Sequence, residues 1–326
     1  MRRLIGIFIL MLLITSSCRD HLYYGTNDRA IIDLDIDWSA ARLTPNGVSV
    51  AAYRQDGTLQ ELFRSSDASS AKISLPQGIY DLVIYNNTDD EFKNVVFRGA
   101  EKKSTYEAYA TDQKSLSERI KNALVSQPDV VATACVDGLE ITSQMVEYYY
   151  DRPLDAGHVS IKTVKVTPRR VTITANIRAH VCGLSYAAGA PLVQLRNLSG
   201  AYFIGKNVNS SVAVAYEFIM NNRTFDQGST TDGMISNSIS TFGLIKLPDG
   251  SANRSFLDFY FTLIDGSKYP ISIDVTDKII ERASEMELTL ELDVDIKLPN
   301  VAGDEDIGAF DPTVGDWQDT DVAIEM

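Results

Sequence analysis

The side chains best suited to metal binding or nucleophilic chemistry are few: His21, His158 and His180, and Cys18, Cys135 and Cys182. The histidines lie far apart in sequence. No HExxH pair and no Cys/His cluster occurs, so the usual spacing of a zinc site is missing. There is also no GxSxG elbow, no Gly-rich phosphate loop and no dinucleotide fingerprint. On this vocabulary no residue takes a catalytic, cofactor-binding or metal-binding role, and the chain reads as a non-enzyme. Acids are plentiful. Asp304, Glu305, Asp306, Asp316, Asp319 and Asp321 offer the oxygen ligands calcium takes, but not at the spacing of an EF-hand loop. They read as solvated. Tyr148, Tyr149 and Tyr150 could stack against a sugar, or simply pack at a strand end.

Cys18 is the one cysteine with a distinctive setting. Arg2 and Arg3 give a positive start, Leu4 to Ile14 are uncharged and apolar, and Thr15, Ser16 and Ser17 are small. This is the pattern of a secretory signal, and the apolar run is too short for a stable membrane span. With a cysteine directly after the small residues, it resembles a bacterial lipoprotein signal. That resemblance implies cleavage before Cys18 and acylation of its thiol. Two or three acyl chains, at about 0.8 kcal/mol per buried methylene, anchor a protein stably. Thr15 stands where the lipoprotein pattern usually has Leu. Cys135 and Cys182 sit among small or apolar neighbours (ATACVD and AHVCGL). They remain either free buried thiols or a pair joined in an oxidising compartment.

The elements that would carry these residues are mostly strands. Ile32, Leu34, Ile36 and Trp38 alternate with Asp33, Asp35 and Asp37, which predicts a half-buried strand with an acidic outer face. That face reads as a guard against edge-to-edge pairing. Val48, Val50 and Ala52 continue the alternation. Asp56-Gly57 and Pro76-Gln77-Gly78 mark turns, and IYDLVIY over 79–85 is strongly β-prone. A helix is predicted near Ser115, where Glu118 completes a capping box and Leu116, Ile120 and Leu124 share a face before Pro128. In the second half, Val171 to Val181 and Leu288 to Ile296 alternate cleanly. Strand-like runs at 211–220, 255–265 and 269–275 lie between them, with turn signals at Asp249-Gly250 and Asp265-Gly266. The final Val322, Ile324 and Met326 also alternate apolar.

Loss of residues 1–17 leaves 309 of the 326 residues and 28 basic against 44 acidic side chains, a net charge of −16. Such a balance argues against nucleic acid as a partner, because binding there depends on neutralising phosphates. The organisation expected is a signal at 1–17, a tether at 18–29, and β-sandwiches at 30–155 and 156–326. The fold class is all-β: two tandem antiparallel sandwiches with one short helix in the first.

A wider resemblance rests on four stretches: the lipoprotein-like leader, IIDLDIDW, TPNGVSVAAYRQDG and LPQGIYDLVIYNN, with the acidic GDWQDTDVAIEM at the far end. Together they resemble the fimbrillin-type lipoproteins of Bacteroidales. The resemblance implies two transthyretin-like sandwiches, an outer-membrane or cell-surface location, and a structural role as anchor or stalk subunit beside other fimbrial subunits. It also implies assembly by strand exchange, in which a protease removes the first strand after a basic residue and a neighbour's strand fills the groove. In this chain Arg42 would be the processing site, or else an ordinary loop charge. Val322, Ile324 and Met326 would be the donor strand, or else a terminal strand in their own sheet. Burial of three such side chains contributes roughly 5–8 kcal/mol before ordering costs. The competing reading is a surface lipoprotein that binds a host or bacterial glycan or another ligand.

Overall fold

The computed structural model describes residues 28–115, 123–150, 162–245, 247, 253–278, 280–283 and 288–301. The calls on Cys18, His21, Val322, Ile324, Met326 and the acids from Asp304 to Asp321 lie outside these residues.

The first sandwich is built around β1 (Arg29–Ile36). Its period-two pattern places Ala30, Ile32, Leu34 and Ile36 in the core, each almost fully buried. β1 pairs antiparallel with β4 (Ser70–Pro76) and parallel with β10 (Lys162–Val166), so it is the middle strand of a three-stranded sheet. The acidic face is therefore not an edge guard. Asp33 stands opposite Lys72 of β4, and Asp35 opposite Lys165 of β10. Opposite charges at facing register positions are compatible with a middle strand, where like charges would be costly.

The facing sheet runs in the order β11 (Arg169–Arg170), β9 (Ala132–Ile141), β5 (Gly78–Asn86), β2 (Val48–Arg54), β3 (Leu59–Ser65). Here β2 is buried on both faces, not one. Val48, Val50 and Ala52 join the core beneath β1, while Ala51 and Tyr53 enter a second core on the opposite side. β5 does the same, with Leu82 and Ile84 inward and Val83 and Tyr85 outward. Strands covered on both faces read as near-continuous apolar runs, and VSVAAY and LVIYN have that character.

The second sandwich repeats the arrangement around β12 (Ile173–Cys182). β12 pairs antiparallel with β18 (Gly233–Thr241) and parallel with β22 (Leu288–Lys297), and β17 (Asn222–Phe225) and β21 (Ile280–Ala283) complete the sheet. Its partner sheet is β20 (Lys268–Asp274), β19 (Phe256–Thr262), β13 (Leu192–Ser199), β16 (Ala213–Ile219) and β8 (Leu124–Val125). The predicted runs at 211–220, 255–265 and 269–275 are β16, β19 and β20. Asp265-Gly266 turns between the last two, with Gly266 at φ +82°.

A small four-stranded sheet joins the halves in the order β15 (Val208–Asn209), β14 (Ala201–Phe203), β7 (Glu107–Ala110), β6 (Val95–Arg98). It packs on the outer face of β2 and β5. Tyr53, Tyr85, Tyr106, Phe92 and Phe97 cluster there, with Tyr85 stacked on Phe97 at 4.5 Å between centroids. The buried Tyr106 hydroxyl donates to Tyr85 Oη at 2.8 Å, and Tyr85 donates to Asp89 Oδ1 at 2.6 Å. Burial pushes both phenols well above the ordinary value.

Two local expectations differ from the structure. Leu124, placed at the end of a predicted helix, lies in β8, where it and Val125 pair with Ala215 and Tyr216 of β16. Residues 116–122 of that predicted helix lie outside the described residues. Tyr148–Tyr150 end not a strand but the helix α1 (Ser143–Tyr150). Thr142 caps it, accepting a hydrogen bond from Met145 N on its Oγ1 at 3.3 Å. Met145 and Val146 pack on the first core, and the helix lies against β1.

Candidate functional site

The site with functional potential is the slot that β1 occupies. Its neighbours β4 and β10 have no other ladder partner in their sheet, so β1 alone joins them. The parallel pairing with β10 covers only Ile32–Ile36, whereas the antiparallel ladder to β4 begins at Arg29. Arg29 holds this start of the strand, donating to Ser74 O at 3.1 Å through Nε and forming an ion pair with Glu61. Fully burying an Ile or Leu contributes about 1.5–3 kcal/mol. The Ile32, Leu34 and Ile36 side chains thus seal the first core, and removal of β1 would leave an apolar groove flanked by two unsatisfied strand edges. Lys162–Val166 went unassigned in the sequence reading. The signal was present, since Val164 and Val166 alternate with Thr163 and Lys165.

Beyond β1 the chain turns sharply. Trp38 is buried and donates from Nε1 to Ala68 O at 2.7 Å. Asp37 Oδ1 accepts from Ser39 N at 2.9 Å, and this hydrogen bond holds its carboxyl below the ordinary range. A short 3-10 turn over Ser39–Ala41 ends at Arg42. Arg42 is exposed and adopts the left-handed region, with φ 49° and ψ 44°, which is uncommon for a residue other than glycine. The next residue, Leu43, packs against the first core. The bond after Arg42 therefore separates a strand from the body it completes.

The remaining chemistry-bearing residues do not converge. Cys135, in β9, and Cys182, at the end of β12, are both free thiols. Cys135 is half-buried and donates to Ile204 O at 3.3 Å, and burial raises its pKa. Cys182 is exposed, contrary to the buried position expected, because it falls on the outward side of β12 where the strand ends. His180 Nε2 lies 2.8 Å from Asp226 Oδ2, and that hydrogen bond raises its pKa. No nucleophile stands beside this pair in the hydrogen-bond pattern of the described residues. Among them no group of three or more His, Cys, Asp or Glu side chains is arranged to hold a metal ion, and no helix is long and apolar enough to cross a membrane. His158 lies outside the described residues.

The comparisons with known proteins agree with the architecture. The family model described as Domain of unknown function (DUF5119) matches residues 16–218. No curated protein matches the chain. Among solved structures, the chain is similar to a candidate adhesin from Bacteroides ovatus ATCC 8483, at 20% identity over 81% of this chain and 93% of that one, with a TM-score of 0.53. It is similar to a candidate adhesin from Bacteroides thetaiotaomicron VPI-5482, at 11% identity over 84% and 93%, with a TM-score of 0.52. The fimbrial anchor protein Mfa2 from Porphyromonas gingivalis covers 82% of this chain and 90% of its own at 13% identity, with a TM-score of 0.49. The all-β architecture expected from the sequence is thus the fold observed, and these solved structures share that fold.

Proposed function

The chain belongs to the DUF5119 family, and from that premise we propose that it is a non-enzymatic structural subunit of a cell-surface fimbria. It is exported as a lipoprotein through Cys18 and takes part in assembly by β-strand exchange. The observation that carries this reading is β1 itself. It is a middle strand whose apolar face closes the first core, and its connection to the next strand passes through an exposed arginine.

Cleavage after Arg42 would make β1 exchangeable. A donor strand entering the slot would regain the ladders to β4 and β10 and refill the positions of Ile32, Leu34 and Ile36, the chemistry of strand addition to an open sheet. Val322, Ile324 and Met326 carry the matching period of two. A subunit that keeps both β1 and its acyl chains would instead serve as the membrane-bound foot of the fibre. The test is deletion of residues 320–326. The shortened chain is expected to fold as a monomer with an unchanged melting curve and to stay out of polymers formed by the intact protein. Polymerisation at the intact rate would remove the donor-strand assignment.

A further inference from the structure

Arg42 shows its side chain to solvent, but the backbone around it is held. An endoprotease draws several residues on each side of the cut into an extended strand. Susceptibility therefore follows the burial and hydrogen bonding of that backbone, not the exposure of one side chain. Before the bond, Ile36 N donates to Ser69 O and Asp37 N to Val166 O of β10, both at 2.9 Å. In the 3-10 turn that follows, Ala41 N donates to Trp38 O at 3.0 Å and Arg42 N to Ser39 O at 3.1 Å. Ala41 is fully buried, and Arg42 is left-handed where a protease needs it extended. After the bond, Leu43 packs on the first core. Asn46 N donates to Asn87 Oδ1 at 3.1 Å, and Gly47 O accepts from Asn87 N at 2.8 Å.

Trp38 fastens this segment. Its ring belongs to the first core, and its Nε1 reaches across to Ala68 O, in the loop between β3 and β4. Asp67 shapes that loop. Its Oδ1 accepts from Ser69 N at 3.0 Å, Ser69 Oγ at 2.7 Å and Ser70 N at 3.2 Å, while Asp67 N donates to Ser65 Oγ at 3.1 Å. An aspartate that accepts from the backbone two residues on fixes a turn, and this one presents the Ala68 carbonyl to the indole. β1 does not depend on these contacts for its place in the sheet. Its ladder to β4 ends at Asp35 and its ladder to β10 at Ile36. The contacts from Trp38 to Leu43 thus hold the connection rather than the strand.

We infer that Trp38, seated on Ala68 O by the Asp67 turn, is a latch that keeps the bond after Arg42 closed to proteases until the segment swings out. The latch rests on the assignment of Arg42 as the processing site and adds what controls that site. Cleavage of a transiently open state follows the population of that state. The rate of processing is therefore set by the fraction of molecules in which Trp38 has left its seat, and Trp38 and Asp67 act as positioning residues for the cut.

The test is digestion of the full chain with an arginine-specific endoprotease, with the appearance of the Leu43 N-terminus timed beside a free peptide of residues 36–47. The peptide is expected to be cut at least about a hundredfold faster than the folded chain. Trp38→Phe keeps a ring and removes the donor. Asp67 is exposed, so Asp67→Ala leaves the core untouched. Each variant should speed the cut after Arg42 by about two- to tenfold, the effect of a lost hydrogen bond. Cutting after Arg64 in the first sandwich and Arg254 in the second should keep the parent rate, which separates local opening from lost stability. Asp67→Ala keeps the test decisive if Trp38→Phe fails to fold. A folded chain cut after Arg42 as fast as the peptide, variants that keep the parent rate there, or variants that speed all three sites alike would overturn the latch. The N-terminus of native material decides separately whether this bond is the one used, so the latch and the processing site can fail apart.

Discussion

Tyr85 is the residue on which the joint between the halves turns. Its hydroxyl both accepts from Tyr106 and donates to Asp89, and all three groups sit between the central strands of the first sandwich and the joining sheet. The two hydroxyls are therefore not equivalent. Tyr106→Phe removes one donor and leaves Tyr85 bonded to Asp89, so it should cost about 0.5–1.5 kcal/mol. Tyr85→Phe strands the buried Tyr106 hydroxyl and takes a donor from Asp89, so it should cost about 1–3 kcal/mol. Urea unfolding of the two variants, read at constant m-value, gives that order or refutes it. None of this was legible in the sequence. Tyr85 and Tyr106 are 21 residues apart, and only the fold reveals that one faces the other. Cys182 teaches the complementary point: its apolar neighbours predicted burial, but the strand parity of β12 places it outward. Arg42 was readable as a loop charge from SAARLTP, while its left-handed backbone was not.

The parallel pairing of β1 with β10 and of β12 with β22 is the element-scale feature that the alternation patterns did not carry. A strand's own period says which side chains face inward, but not which strand lies beside it. β10 is five residues long, and only Val164 and Val166 announce it. β8 is two residues long and was submerged in a plausible helix. By contrast β1, β12 and β22 were fully legible, because each has one buried face and an unbroken period of two. β1 carries the sharpest prediction at this scale. Leu34 is fully buried in its core-facing row, so Leu34→Ala should destabilise the chain by about 2–5 kcal/mol through lost contacts and a cavity. Asp35→Ser, one residue away on the exposed side, should stay within about 0.5 kcal/mol of the parent. Equal effects at the two positions in thermal or urea unfolding would mean that β1 does not seal the core.

Two sandwiches, each with a middle strand paired antiparallel to one neighbour and parallel to another, share a joining sheet drawn from both halves. The first takes strands from 162–170, and the second gains one from 124–125. The chain thus crosses between the sandwiches more than once, and composition alone cannot show such crossings. The net charge of −14 keeps nucleic acid and anionic surfaces an unfavourable match for the molecule as a whole. The proposed role requires that this molecule reach the surface as a lipoprotein and that β1 be the part processing can remove. Intact mass and N-terminal sequencing of the protein taken from its native membrane test it most directly. The expected result is either an acylated Cys18 at the N-terminus or, in polymerised material, a chain beginning at Leu43. An unacylated, soluble chain that begins at neither residue would contradict it.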